Sequence, residues 1–273
     1  MLTADWLDVI FVHFRIPPER LAPLVPLPLD RFRGDAYVSL VAFTQSRLRP
    51  THGGRIGEWL AAPLAEHAFL NVRTYVRHGD VSGIFFMTEW IPNRLAAFVG
   101  PRTYGLPYRL GRLEYRGMRR EIEAAGRRLV IRGMGASPMQ LAAPAAERQR
   151  AAGRRKCMGE APMPQEDESL DQFLLERYTA FTHRNGVLRR FDVVHEPWPY
   201  RRVEVEVVNE GLLELSGGWL AHAELVAAHY SQGVRGVAIS APRHVPSPSA
   251  AARSPRSATS KPPPASRCSR GGF

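Results

Sequence analysis

Three side chains with chemical capacity stand two residues apart, Asn71, Arg73 and Tyr75, with Val72, Thr74 and Val76 between them. That spacing is the period of a β-strand, so an amide, a guanidinium and a phenol share one face while the other face packs. Polar groups converging from a rigid strand are what a small-molecule cavity needs. A guanidinium there offers a planar fork of donors to a carboxylate or an enolate oxygen. The same row also fits a solvated strand face. It fits equally an internal network in which Arg73 pairs with Glu89 or Glu176, because a buried guanidinium without a partner is costly.

Two further clusters lie at turns. In Tyr104-Gly105-Leu106-Pro107-Tyr108 the glycine and proline fix a corner that either carries Tyr108 into a cavity or packs two aromatic rings. In His195-Glu196-Pro197-Trp198-Pro199 a histidine stands beside a carboxylate. His195 there either serves as a general base near neutral pH or hydrogen-bonds a backbone carbonyl that holds the Trp198 turn. His13 and the run His229-Tyr230-Ser231 read as strand residues, where packing is the commoner role, and no base is identifiable for Ser231. No phosphate-binding loop, dinucleotide fingerprint, HExxH or GxSxG occurs. Cys157 and Cys268 have no histidines at ligand spacing, so neither a metal nor another cofactor is expected.

The elements that must hold these groups are mostly strands. Residues 6–16, 35–48, 68–77 and 81–90 read as β, the last two joined at His78-Gly79-Asp80 as an antiparallel hairpin. Residues 106–116, 118–124, 127–133, 187–194, 200–208 and 225–239 continue the pattern. Helices are few and short: one opening at Pro17-Pro18, one over 93–104 with Asn93 as cap, and one over 170–178 capped by Ser169. Residues 52–54 read as a turn or loop. That strands outnumber helices and do not alternate regularly with them argues against a doubly wound parallel sheet. The expected fold is α+β and β-dominated, a curved, mostly antiparallel sheet or barrel around a cavity. Residues 1–245 form a single domain interrupted by a polar excursion near 137–169. Residues 246–273, rich in Pro, Ser, Ala and Arg, read as a disordered tail.

A chain of 273 residues that is 44% hydrophobic can bury a large core. No run of about 18 apolar residues occurs, so no membrane span is expected. The acidic start (Asp5, Asp8) does not resemble a signal peptide, and two cysteines give no disulfide framework, which together favour the cytoplasm. Of the formal charge of +11, five belong to the tail, which leaves +6. Arginine supplies nearly all of it, the only lysines being Lys156 and Lys261. No basic helix with interleaved aromatics accompanies this charge, so nucleic acid is not the expected partner.

Taken in order, six segments resemble the DUF2071 (YqjF-like) family of bacterial proteins: His13-Phe14-Arg15-Ile16-Pro17-Pro18-Glu19-Arg20-Leu21 with Leu24-Val25-Pro26, then 71–76, 104–108, Glu176-Arg177-Tyr178, 195–199 and His229-Tyr230-Ser231. The resemblance runs from about residue 6 to 245 and implies kinship in fold with acetoacetate decarboxylase. That enzyme forms a Schiff base through a lysine just after a Gly-x-Pro turn. Here the turn is Gly105-Leu106-Pro107 and the next residue is Tyr108, so decarboxylation through an imine is not expected. Family members usually carry a glutamate two residues before the asparagine of the Asn-x-Arg strand, where this chain has Phe69, with Glu66 three positions earlier.

The resulting expectation is a protein that binds a small acidic or carbonyl-bearing molecule in a polar internal cavity, or a lyase-like enzyme acting on one. Asn71, Arg73, Tyr75 and Tyr108 would hold the ligand, His195 and Tyr108 are the catalytic candidates, and Glu176, Arg177, Trp198 and His229 belong to structural motifs. The alternative is a non-catalytic, partner-binding module whose polar strand is an internal network.

Overall fold

Long, unbroken β segments set the architecture. The computed structural model describes residues 1–52, 54–134 and 169–246; the excursion near 137–168 and the tail from 247 lie outside the described residues. Strands β1 (Leu2–Ile16) and β2 (Ala36–Pro50) pair antiparallel over nearly their whole lengths. Next come β3 (His67–His78) and β4 (Val81–Ile91), the expected hairpin, with β2 pairing β3. Beyond them in the sheet lie β9 (Thr179–Arg184) and β10 (Val187–Val194), and β13 (Glu224–Ile239) closes on β1 from the other side. Val193 and Val194 of β10 pair with Ile239 and Ala238 of β13, so the sheet curls back on itself.

The pairing is mostly antiparallel, but β4 meets β9 in parallel, as it does the short β5 (Tyr108–Leu110). Gly83 permits the first of these contacts: a Cβ there would stand 2.6 Å from the Thr179 carbonyl oxygen. The segment expected as one strand over 106–116 splits at Gly111 into β5 and β6 (Arg112–Arg116). With β7 (Arg119–Ala124), β8 (Arg127–Met134) and β12 (Glu204–Val208), β6 forms a second, four-stranded sheet. Residues 200–208 likewise divide, β11 (Tyr200–Arg202) pairing with β13 and β12 with β8.

Alternation along the central strands sends side chains to two separate cores. Ile10, Val12, Leu40, Leu70, Val72 and Val76 pack outward against Ile122, Leu129 and Ile131 of the second sheet and the 3-10 turns bearing Leu212 and Trp219. Phe11, Val41, Phe43, Phe69 and Tyr75 point into the curl. Each such buried side chain contributes about 1.5–3 kcal/mol, and shifting the register by one residue would exchange the two faces.

Four α-helices are present among the described residues. Helices α1 (Pro18–Leu21) and α3 (Arg94–Thr103) lie where the sequence places them, and α4 (Leu170–Leu175) starts as expected but ends three residues short of 178, at the Glu176 cap. The Asn93 side chain accepts from the Ala96 amide at 2.9 Å, and Ser169 accepts from Gln172 at 3.2 Å. Helix α2 (Gly54–Ala61) replaces part of the expected loop at 52–54 and buries none of its residues. Helix α4 plugs the curl with Phe173, Leu174 and Leu175.

Candidate ligand site

The inward face of β3 meets two adjoining hollows. The larger, about 150 Å³, is bounded by β2, β3, β4 and α3 and takes Asn71, Glu89 and Tyr108 into its walls. The smaller, about 20 Å³, lies deeper against Arg73, Arg177, His195 and Trp198. Asn71, Phe43 and Phe86 line both. The smaller space holds one or two water-sized groups.

Arg73 sits on β3 opposite Ser39 of β2 and is 6% exposed. Burial lowers the pKa of its guanidinium, and the nearby Arg177 adds to the effect. Its Nε and Nη2 have no hydrogen-bond acceptor among the described residues, although the Tyr75 phenol and Glu176 favour its charge from nearby. The carboxylate partners expected from sequence do not engage it. Glu176 is occupied, accepting from the Trp198 amide at 3.1 Å and from the Tyr178 hydroxyl. Arg73 is a cation held in place and left with donors to spare.

Glu89 faces Asn71 across the β3–β4 pair and Tyr108 across the β4–β5 pair. It is 3% exposed, and among the described residues neither its Oε2 nor Asn71 Oδ1 has a hydrogen-bond partner. Burial pushes its carboxyl up to about 8, against a weaker downward pull from Arg73. At neutral pH Glu89 is therefore a carboxylic acid, able to donate a hydrogen bond as well as accept one. The half-buried Tyr108 ring brings its hydroxyl to the same place, where burial and then Glu89 push the phenol well above its usual range. Gly100 of α3 makes room for that ring, since a Cβ there would lie 2.3 Å from Tyr108 Cε2. His67, at the start of β3, is pushed down to about 4 by burial and is neutral.

Tyr75 departs from the expected row. It lines neither hollow, because its hydroxyl donates to the Leu174 carbonyl at 2.8 Å and accepts from Ser39 Oγ at 2.6 Å. Ser39 in turn accepts from His13 Nδ1 at 2.7 Å, an ordering fixed by the Tyr75 donation. His13 is thus held as the neutral Nδ1–H tautomer, in keeping with burial and the neighbouring His229, which push its pKa well below the usual value. His229 stacks edge-on against His13 and brings Nε2 to 3.3 Å from Asp171. Although burial works the other way, the nearby His229 and hydrogen bonds from Arg202 hold the Asp171 carboxyl below its usual range. This chain fastens α4 to β1, β2 and β3 and gives the wall its rigidity.

His195 borders the smaller hollow, with Nδ1 donating to the Glu196 carbonyl at 2.7 Å and its ring 4.8 Å from that of Trp198. The backbone bond fixes the ring, as one of the two sequence readings expects, and leaves Nε2 as the acceptor nitrogen. Arg177 pairs with Asp30 at 3.3 Å and lies over the Phe173 ring at 4.2 Å. No cluster of three or more His, Cys, Asp or Glu suited to a metal occurs among the described residues. Phe69 stacks on Phe43 at 5.1 Å and makes that part of the wall apolar. No lysine occurs among the described residues.

A curled β sheet around such hollows defines an acetoacetate decarboxylase-like fold. An acetoacetate decarboxylase-like enzyme from Sphingomonas wittichii RW1 superposes with a TM-score of 0.55 at 16% identity, over 90% of this chain and 93% of that one. The enduracididine biosynthesis enzyme MppR, complexed with the condensation product of pyruvate and imidazole 4-carboxaldehyde, gives a TM-score of 0.53 at 12% identity over 89% of each chain. At these identities the likeness is one of fold alone. The sequence is more specific. Residues 3–235 match DUF2071, an uncharacterized conserved protein family, and the chain belongs to it. It is 29% identical over 237 residues to the uncharacterized protein YqjF of Bacillus subtilis (strain 168), 85% of this chain and 88% of that protein. No helix among the described residues is long and apolar enough to cross a membrane.

Proposed function

We propose that the protein binds a small organic acid bearing a carbonyl group, with the acid end at Arg73 and the carbonyl served by the protonated Glu89, Asn71 and Tyr108. The observation that carries this reading is the Arg73 guanidinium, sequestered from water with Nε and Nη2 lacking acceptors among the described residues. An anion in the adjoining hollow relieves a burial that Tyr75, Glu176 and the Phe11 ring compensate only in part. That MppR is described with a pyruvate-derived compound is in keeping with an acid of this class.

Chemistry at the bound carbonyl would follow from Glu89. A carboxyl group that keeps its proton to about pH 8 can hand it to a developing enolate oxygen and take it back, which is acid–base assistance of a lyase-like kind. An imine route is not proposed, because the position after the Gly-x-Pro turn is Tyr108 and a phenol is no amine nucleophile. His195 Nε2, beside the smaller hollow, is the second candidate base.

The test is a thermal-shift screen with pyruvate and with acetoacetate, comparing the native chain with Arg73→Met. Ligand at about 100 times its Kd adds roughly 2.7 kcal/mol of stability, a shift expected in the native chain and absent from the variant. Equal shifts in both would remove Arg73 from the site. The rival reading, an internal network without ligand, draws on the His13–Ser39–Tyr75 chain; it predicts no acid-induced shift in either protein.

A further inference from the structure

Resting on that small-acid reading, we infer that the acid carries an apolar tail of about six carbons and enters head first, its charged end deep and its tail in the larger hollow. The walls are graded with depth. Asn71 and Glu89 stand on the buried floor, whereas the more exposed residues at the mouth are mostly apolar (Leu2, Leu48, Leu64, Val99, Leu106 and Ile239), with Thr103 and Tyr104 the polar exceptions. Between floor and mouth the surface is largely aromatic, with Phe69 stacked on Phe43 at 5.1 Å and reaching the Tyr108 ring at 5.9 Å.

Charge points the same way. Among the described residues the larger hollow has no arginine, lysine or aspartate in its lining, and its two ionisable groups other than tyrosine, His67 and Glu89, are uncharged at neutral pH. The one cation on the inward face of β3 is Arg73, in the deeper hollow beyond Asn71 and Phe43. An anionic head therefore has a partner only at the inner end, and an apolar tail has a favourable wall only at the outer end. A ligand no larger than pyruvate would leave the larger hollow unfilled. Its volume of about 150 Å³ is that of a cavity able to take a benzene ring, which sets the tail at about six carbons, alkyl or aryl.

The experiment is isothermal titration of the full-length protein at pH 7 with straight-chain 2-oxo acids from pyruvate to 2-oxodecanoate. Affinity is expected to rise by up to about fourfold per added methylene and to level off once the tail exceeds about six carbons. A double variant of two mouth residues, Leu64→Gln with Val99→Gln, should shrink the gain per methylene while leaving pyruvate affinity unchanged. Both are half-exposed, and circular dichroism at 25 °C checks that the variant is folded. If pyruvate binds and longer acids bind no tighter, the tail inference is overturned and the small-acid reading stands. Binding of none of the acids by the native protein overturns both.

Discussion

Replacing Glu89 with glutamine should stabilise the protein at pH 7. The native carboxyl is 3% exposed and keeps its proton to about pH 8, whereas in the unfolded chain it releases it near the ordinary value of 4.5. Below pH 4.5 both states are protonated and burial imposes no ionic penalty. As pH rises from about 4.5 to about 8 the unfolded state ionises first, so stability falls by about 1.36 kcal/mol per pH unit, and above 8 it levels off. At pH 7 the penalty amounts to about 3 kcal/mol by that slope. Glutamine copies the shape of the neutral acid and carries no proton to lose, so it escapes the penalty. Its amide has two donors to satisfy where the acid had one, which trims the expected gain to about 1–3 kcal/mol. For a domain of this size that raises the melting temperature by roughly 2–4 °C per kcal/mol. Urea unfolding of both proteins at pH 5, 6, 7 and 8 tests this: buried His13 and His67 raise both curves alike between pH 5 and about 6.5, so the readout is the difference, and the advantage of the variant should widen as pH rises. Parallel curves would mean that Glu89 titrates like a solvated carboxylate, and the reasoning from burial would fail.

Other substitutions separate the site from its supports. Arg73→Met should change the stability of the unliganded protein by less than about 1 kcal/mol, or raise it, since no buried pair is broken; a loss of about 3–5 kcal/mol in urea unfolding would reveal a partner carboxylate. Tyr75→Phe strands the Leu174 carbonyl and the Ser39 hydroxyl in the interior and should cost about 1–3 kcal/mol with ligand affinity kept. Collapse of affinity at unchanged stability would instead place the phenol on the ligand. Gly100→Ala drives a methyl group into the Tyr108 ring and should cost about 1–3 kcal/mol and weaken ligand binding together; unchanged affinity in titration calorimetry would mean that Tyr108 takes no part.

The portion of this design legible in sequence is the portion written in short periods. Alternation at 71–76 gave the strand and its inward face, and the caps at Asn93 and Ser169 fixed two helix starts by local hydrogen-bond chemistry alone. What depends on distant pairing was not legible. Thr179–Arg184 is a six-residue strand with a polar end, and it is recognisable only beside β4. Tyr75 looked like its neighbours in the row, but its hydroxyl is claimed by Leu174, 99 residues away. Glu89 read as a salt-bridge partner for Arg73, because sequence does not say that the strand register sets it against Asn71 and Tyr108 instead. Helix α2 was missed because the adjacent glycines at its start resemble a loop, and none of its residues is buried to leave an apolar signature.

The central claim is that a buried cation and a neutral acid together receive an organic anion. Binding of a 2-oxo acid measured by calorimetry from pH 6 to pH 10 tests it most directly. Ionisation of Glu89 near pH 8 puts a second negative charge beside the ligand, so affinity should hold at lower pH and fall above about 8, by up to tenfold per pH unit. The fall should disappear in Glu89→Gln. Affinity that is flat across this range in the native protein, or that falls equally in the variant, would contradict the account.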